Sequence, residues 1–166
     1  METELIEEEI KAKLAELAEQ QGLKARNEWP VYMWIWDDEK KEWDYVNVAK
    51  IDHAWYVEVN VDEGSWALPV VAFEIVSVIK LMNLSLLKKD LENIRISGAA
   101  LGVLVIQAAS EEKLQQELRE QGCTDDRIRQ LRDIISYIVH PIRVGIAYAG
   151  DIIQGKLRIA WLSTLE

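Results

Sequence analysis

A mixed α/β fold, of the α+β kind, follows from three observations on the sequence. Three β-rich apolar runs follow one another across charged turns. After Asn83 the hydrophobic period changes from strand to helix, and an apolar strand, Leu101–Ala108, comes next. The predicted order is α-β-β-β-α-β and then α-α-β-β. An antiparallel meander joined through a crossover helix to a further strand gives a central mixed sheet with helices on both faces.

Each element has a local reason. From Glu2 to about Gln21, Ile6, Ile10, Leu14 and Leu17 recur at helical spacing behind an acidic first turn, and Gly22 ends the helix. Trp29–Trp36 is β-rich, Asp37–Glu42 reads as a hairpin loop, and Tyr45–Val59 is the second strand. The turn at Asn60–Ser65 leads into a third strand, Trp66–Val78, whose continuous apolar centre predicts burial on both faces. Leu84, Leu87, Leu91 and Ile94 form a helical stripe closed by Gly98. Helices are expected at Glu111–Gln121 and from Thr124 or Asp125 to His140-Pro141, where proline stops the turn. Strands at Ile142–Ala149 and Lys156–Leu162 complete the chain. Tryptophans in strands, Trp34, Trp36 and Trp55, are expected to fill the core.

The 166 residues carry no repeat or low-complexity linker, so they read as one domain, 1–166. Net charge is −10, and it is uneven: residues 1–66 hold seventeen acids against seven bases, while residues 67–166 hold twelve of each. A general nucleic-acid coat is excluded by that balance, but an enzyme meeting phosphate through a bound cation is not. The longest strongly apolar stretch, Ala99–Ala109, falls short of the ~20 residues a membrane span requires. The acidic start lacks a basic and apolar leader pattern, so no membrane partner and a cytoplasmic address are expected. Cys123, the only cysteine, excludes an intrachain disulfide and a thiolate metal cluster.

Chemistry has few places to reside. There is no Gly-rich phosphate loop, and His53 and His140 are the only histidines, without zinc-ligand spacing. Two acids stand out. Asp52 interrupts an apolar strand, and Glu74 lies within Leu-Pro-Val-Val-Ala-Phe-Glu-Ile-Val. A buried carboxylate has to be paired, protonated or bound to a cation, because burying it alone costs several kcal/mol. On neighbouring hairpin strands the two would share a face. A hard cation such as Mg²⁺, which takes one or two carboxylates and keeps several waters, would relieve their repulsion. The structural alternative is an ion pair of Asp52 or Glu74 with Lys50 or Arg95.

The acid in the second strand, the Pro-Val-Val-Ala-Phe-Glu-Ile run and the Leu-Lys-Lys-Asp-Leu-Glu-Asn-Ile helix together resemble the PD-(D/E)xK, or restriction-endonuclease-like, superfamily. The resemblance covers about residues 5–108, leaving 110–166 as a C-terminal extension. It implies a restriction-endonuclease-like core and a metal-dependent nuclease hydrolysing phosphodiester bonds of nucleic acid, usually DNA. Asp52 and Glu74, with the carbonyl of Ile75, would hold Mg²⁺ or Mn²⁺, which would lower the pKa of an attacking water. Glu7, Glu8 or Glu9 on the first helix would in some members join the site. The motif lysine, two residues after the glutamate, is replaced by Val76. Lys50, Lys80 and Lys88 are the candidates for a displaced catalytic cation. Lys50 is preferred because strand geometry alone puts it on the face of Asp52. The alternative is a catalytically inactive nuclease-fold module for binding or assembly.

Beyond residue 110, Arg119, Arg127, Arg129 and Arg132 alternate with Asp125, Asp126 and Asp133, the pattern of a salt-bridged solvent face. The strands at Ile142–Ala149 or Lys156–Leu162 offer edges for a homodimer.

Overall fold

The structure, a computed structural model, describes residues 2–162. Its elements run α1 (Glu2–Gln20), β1 (Lys24–Asp37), β2 (Glu42–Val61), β3 (Gly64–Val76), α2 (Val78–Met82) and α3 (Leu84–Ile96). They continue with β4 (Leu101–Ile106), α4 (Glu111–Glu120), α5 (Asp125–Val139), β5 (Arg143–Tyr148), α6 (Ala149–Ile153) and β6 (Ala160–Trp161). The strands form one six-stranded mixed sheet in the order β1-β2-β3-β4-β5-β6. β1, β2 and β3 are an antiparallel meander; β3, β4 and β5 are parallel; β6 returns antiparallel to β5.

The sheet separates two cores because strand side chains alternate between faces. On one face α1 lays Ile10, Leu14 and Ala18 against Trp55, Phe73, Ile75, Val103 and Val105, with Ile152 of α6 beside them. The Trp55 indole N–H donates to the Leu14 carbonyl at 3.1 Å, which ties α1 to β2. On the other face Leu87, Leu91 and Ile94 of α3 and Ile135 and Val139 of α5 cover Ala72, Val76, Leu104 and Ile106. Gly102 permits that contact, since a Cβ there would lie 2.5 Å from the Ile94 side chain.

Several boundaries differ from those the sequence predicts, each for a physical reason. β1 starts at Lys24, before Trp29, because the polar residues Arg26 and Asn27 still pair with Ala54 and His53, and the chain passes Glu28, at positive φ, without leaving the ladder. β3 ends at Val76. Ser77 caps α2, its Oγ accepting from the Lys80 N–H, so Val78 begins a helix that apolar content alone disguises as strand. α1 buries Ile10, Leu14 and Ala18, whereas Ile6 is exposed. Trp34 and Trp36 are 63% and 43% exposed; only Trp55 of the three expected core tryptophans is buried. They lie where β1 and β2 pair with each other alone, beyond the reach of β3 and the helices. β5 lies inside the sheet, and the expected last strand shrinks to the two residues of β6, so neither offers a long free edge. The long unpaired edge belongs to β1.

No helix among the described residues is long and apolar enough to cross a membrane.

Candidate functional site

The β2–β3 ladder closes at His53 opposite Phe73, and one step further in register Asp52 stands across from Glu74. The backbone ladder stops there and a side chain takes over: Asp52 Oδ2 accepts from the Ile75 N–H at 2.8 Å. The residue types explain the change. An acidic side chain at the end of a ladder satisfies a strand N–H that would otherwise be left unpaired between diverging strands.

Glu74 is 3% exposed, and its Oε1 finds no hydrogen-bond partner within the protein. Burial first, then the charges of Asp52 and Asp90, push its carboxyl up to about 11, with Lys80 pulling the other way. In the metal-free protein Glu74 is therefore a neutral acid at physiological pH, the expected response of carboxyls crowded together in a dry place.

The cation that reaches these carboxylates is Lys80. The Ser77 cap fixes the first turn of α2, and Lys80 projects from it so that Nζ lies 2.6 Å from Asp90 Oδ2. Partial burial alone would lower the Lys80 pKa; Asp90, Glu74 and Asp52 outweigh that effect and raise it. Asp90 is raised as well, because burial and the Asp52 charge exceed the opposing pull of Lys80.

The other sequence candidates lie apart. Lys50 is exposed on β2 opposite Pro30, and among the described residues it forms no ion pair. Lys88 is exposed on α3 with its Nζ 3.9 Å from Glu92. Arg95 is exposed, so neither of the expected structural partners, Lys50 or Arg95, neutralises Asp52 or Glu74. Val76 is fully buried in the helix-covered core on the face of Glu74, where it packs as an ordinary core residue. Ile75 offers its N–H to Asp52, while its side chain enters the α1 core. Glu7 and Glu8 of α1 lie 3.3 and 4.0 Å from Lys11, and Glu9 is exposed.

Asp90 is the residue that sequence reasoning missed. Its signal was available: Leu87, Asp90, Leu91 and Ile94 follow i, i+3, i+4, i+7, so an acid occupies the buried stripe of α3. His53 was equally readable as an interruption of an apolar strand. It is fully buried on the α1 side, 2.7 Å from Asn27 Oδ1 through Nδ1, with Nε2 unpartnered.

Among the described residues no three His, Cys, Asp or Glu side chains converge as a metal cage. Mg²⁺ does not require one, because it keeps several waters and binds through one or two carboxylates. Asp52 and Glu74 supply that pair, and the unpartnered Oε1 of Glu74 is a free ligand atom in the right chemical class. The residues therefore fit a hard divalent cation. A separate cavity of about 380 Å³ lies between α4, α5 and the ends of β4 and β5, with Tyr148 and Leu81 in its lining. Comparison with protein-family models, with curated proteins and with solved structures finds no match to this chain.

Proposed function

We propose that this chain is a metal-dependent nuclease-like protein of the restriction-endonuclease kind, with Lys80 in place of the missing motif lysine. One observation carries the reading: the end of the β2–β3 ladder sets Asp52 across from Glu74, and α2 brings Lys80, paired with Asp90, into the field of both. Asp52 and Glu74 would hold Mg²⁺ or Mn²⁺, with the Ile75 carbonyl as a further donor. When bound, the metal lowers the pKa of a water and neutralises charge on a scissile phosphate.

The chain's own residues divide the remaining work. Asp52 anchors the Ile75 backbone and so fixes the β3 segment that carries Glu74. Lys80 is a cation held in place by Asp90, one-third exposed, and able to face a phosphate oxygen from the solvent side. Nucleic acid, with DNA the usual case for the superfamily, is the substrate class this cation and metal would suit. The net charge of −10 makes such an approach depend on them.

A second reading, a nuclease-fold binding or assembly module without catalysis, is favoured by the lock between Lys80 and Asp90 together with Val76. Turnover separates the two. Single-stranded, duplex and branched substrates are incubated with Mn²⁺ or Mg²⁺, using wild type, Asp52→Ala, Glu74→Gln, Lys80→Ala and Lys50→Ala. The expected result is metal-dependent cleavage that falls at least ~100-fold in the first three variants and stays within threefold of wild type in Lys50→Ala. A rise in Tm with Mn²⁺ that Asp52→Ala and Glu74→Gln abolish, without cleavage, supports the inactive module. No cleavage and no metal-dependent Tm shift overturns the metal site itself.

A further inference from the structure

The strand meander carries a second feature that the carboxylate site does not use. β1 pairs with β2 over Lys24–Asp37, but β2 meets β3 only from His53 onward. The outer part, Tyr32–Asp37 with Glu42–Asn47, is therefore a two-stranded ribbon projecting beyond the sheet. Its composition is wrong for a solvated arm. Trp34 lies opposite Tyr45 and Trp36 opposite Trp43, and Tyr32 stacks on Tyr45 at 5.0 Å, so five aromatic rings share one face. They are 43–63% exposed. Met33 and Val46, cross-strand partners on the opposite face, are exposed too.

A two-stranded ribbon is marginal in water without a covered apolar face, and a free flat edge strand rich in apolar residues invites pairing. We infer that this ribbon is a homodimerisation arm, in which the ribbons of two copies lie antiparallel about a two-fold axis near Trp34 with their aromatic faces packed together.

Three features select a second copy as the occupant. β1 is the outermost strand of the sheet, and beyond Val31 it pairs with β2 alone, so the ribbon projects free of the sheet. The five half-exposed rings offer roughly 500 Å² per copy, the larger part of the ~800 Å² per partner of a stable interface. Charge fits as well. The ribbon tip, residues 37–42, holds four acids against Lys40 and Lys41, while its base carries the exposed cations Arg26 and Lys50 against the exposed Glu28. Antiparallel pairing about Trp34 brings each tip toward the partner's base. A single nucleic-acid strand stacking on the rings would instead meet the acidic tip.

Sedimentation equilibrium of the full chain tests the arm directly. Wild type is expected at twice 19.1 kDa at micromolar concentration. Trp34→Lys with Trp36→Lys is expected to weaken the dimer at least ~30-fold without changing thermal unfolding of the monomer, since both rings are exposed. Independently, Trp34→Cys in a Cys123→Ser background is expected to form a disulfide-linked dimer on oxidation, while Glu63→Cys in the same background, at the other hairpin, does not. A wild type that stays monomeric at about 100 µM overturns the inference, as does a dimer that survives the double lysine substitution. Monomeric protein whose tryptophan fluorescence is quenched by oligothymidylate, dependent on Trp34 and Trp36, also overturns it and makes the arm a stacking platform for single strands.

Discussion

Asp52 and His53 are neighbours in one strand, yet they face opposite sides of the sheet and solve the same problem differently. On the α2–α3 side, Lys80 pairs with Asp90 while the charges of Asp52 and Asp90 bear on the buried Glu74, so that the Glu74 carboxyl stays protonated. On the α1 side the order is reversed. A buried Lys11, its side chain only 6% exposed, has Glu7 at 3.3 Å and Glu28 at 3.0 Å, while His53 beside it is held neutral. The acids around Lys11 keep their hydration, with 34% and 53% of their side chains exposed, but the acids around Lys80 do not. One face is a settled ion cluster. The other holds more carboxyl groups than cations.

The sharpest way to break this contrast is to remove each lysine in turn. Lys80→Met leaves Asp90 and Glu74 without a cation in a dry site and is expected to cost about 3 kcal/mol, lowered from the full value for a buried pair by the partial exposure of Lys80. Lys11→Met leaves glutamates that water still reaches, and the expected loss is about 1 kcal/mol. Urea titrations at neutral pH check both. Equal losses would mean that the two faces do not differ in the way their burial indicates.

Glu74 supplies the next largest effect, with a sign opposite to that of most core substitutions. Its carboxyl sits near 11 in the folded protein and at 4.5 when unfolded. The folded state therefore holds a proton that the unfolded state releases, and this stabilisation is complete below about pH 4.5 and fades as pH rises toward 11. Wild type in chelator is expected to lose about 1 kcal/mol per pH unit above about pH 6.5, where His53 no longer opposes it. Glu74→Gln removes that slope. At pH 7 it is expected to be the more stable protein by about 2 kcal/mol, less than the full linkage because a buried amide still lacks partners. A variant that is less stable than wild type at every pH would place an ionised, paired Glu74 in the folded protein instead.

The fold was legible where a short rule governs it. Alternating and helical periods, Gly22 and the charged turns located most elements, since those signals depend on nearest neighbours in sequence. The boundary at Ser77 was not legible, because Val78, Ile79 and Leu81 are as apolar as the strand before them and only the Ser77 cap distinguishes helix from strand. The exposure of Trp34 and Trp36 was hidden for a different reason. Burial depends on how far β3 reaches along β2, a fact of register rather than composition. At the site, Asp52 and Glu74 were readable as acids in apolar strands. The choice among lysines was not, because strand alternation ranks Lys50 by its direction and cannot see that α2 folds Lys80 back onto Asp90.

His53 gives the smallest effect and the cleanest test of whether the two faces titrate independently. Burial first, and then the Lys11 charge, lower its pKa to about 4 from 6.5. Here the unfolded chain takes up the proton first as the solution is acidified, so stability is complete above about pH 6.5 and is lost as pH falls toward 4. Between pH 6.5 and 5 the expected loss is roughly 1–2 kcal/mol, and His53→Gln, which keeps an amide donor for Asn27 Oδ1, is expected to remove it. Glu74 acts in the reverse sense over the overlapping interval, from about 4.5 upward. The two slopes oppose each other between these pKa values, so wild type is expected to show a nearly flat profile from pH 5 to 6.5. His53→Gln then exposes the falling limb of Glu74, and Glu74→Gln exposes the rising limb of His53. A double variant that restores the flat profile establishes that the two faces of this strand pair titrate independently. A double variant that keeps either slope shows that Lys11 and Lys80 communicate through the sheet.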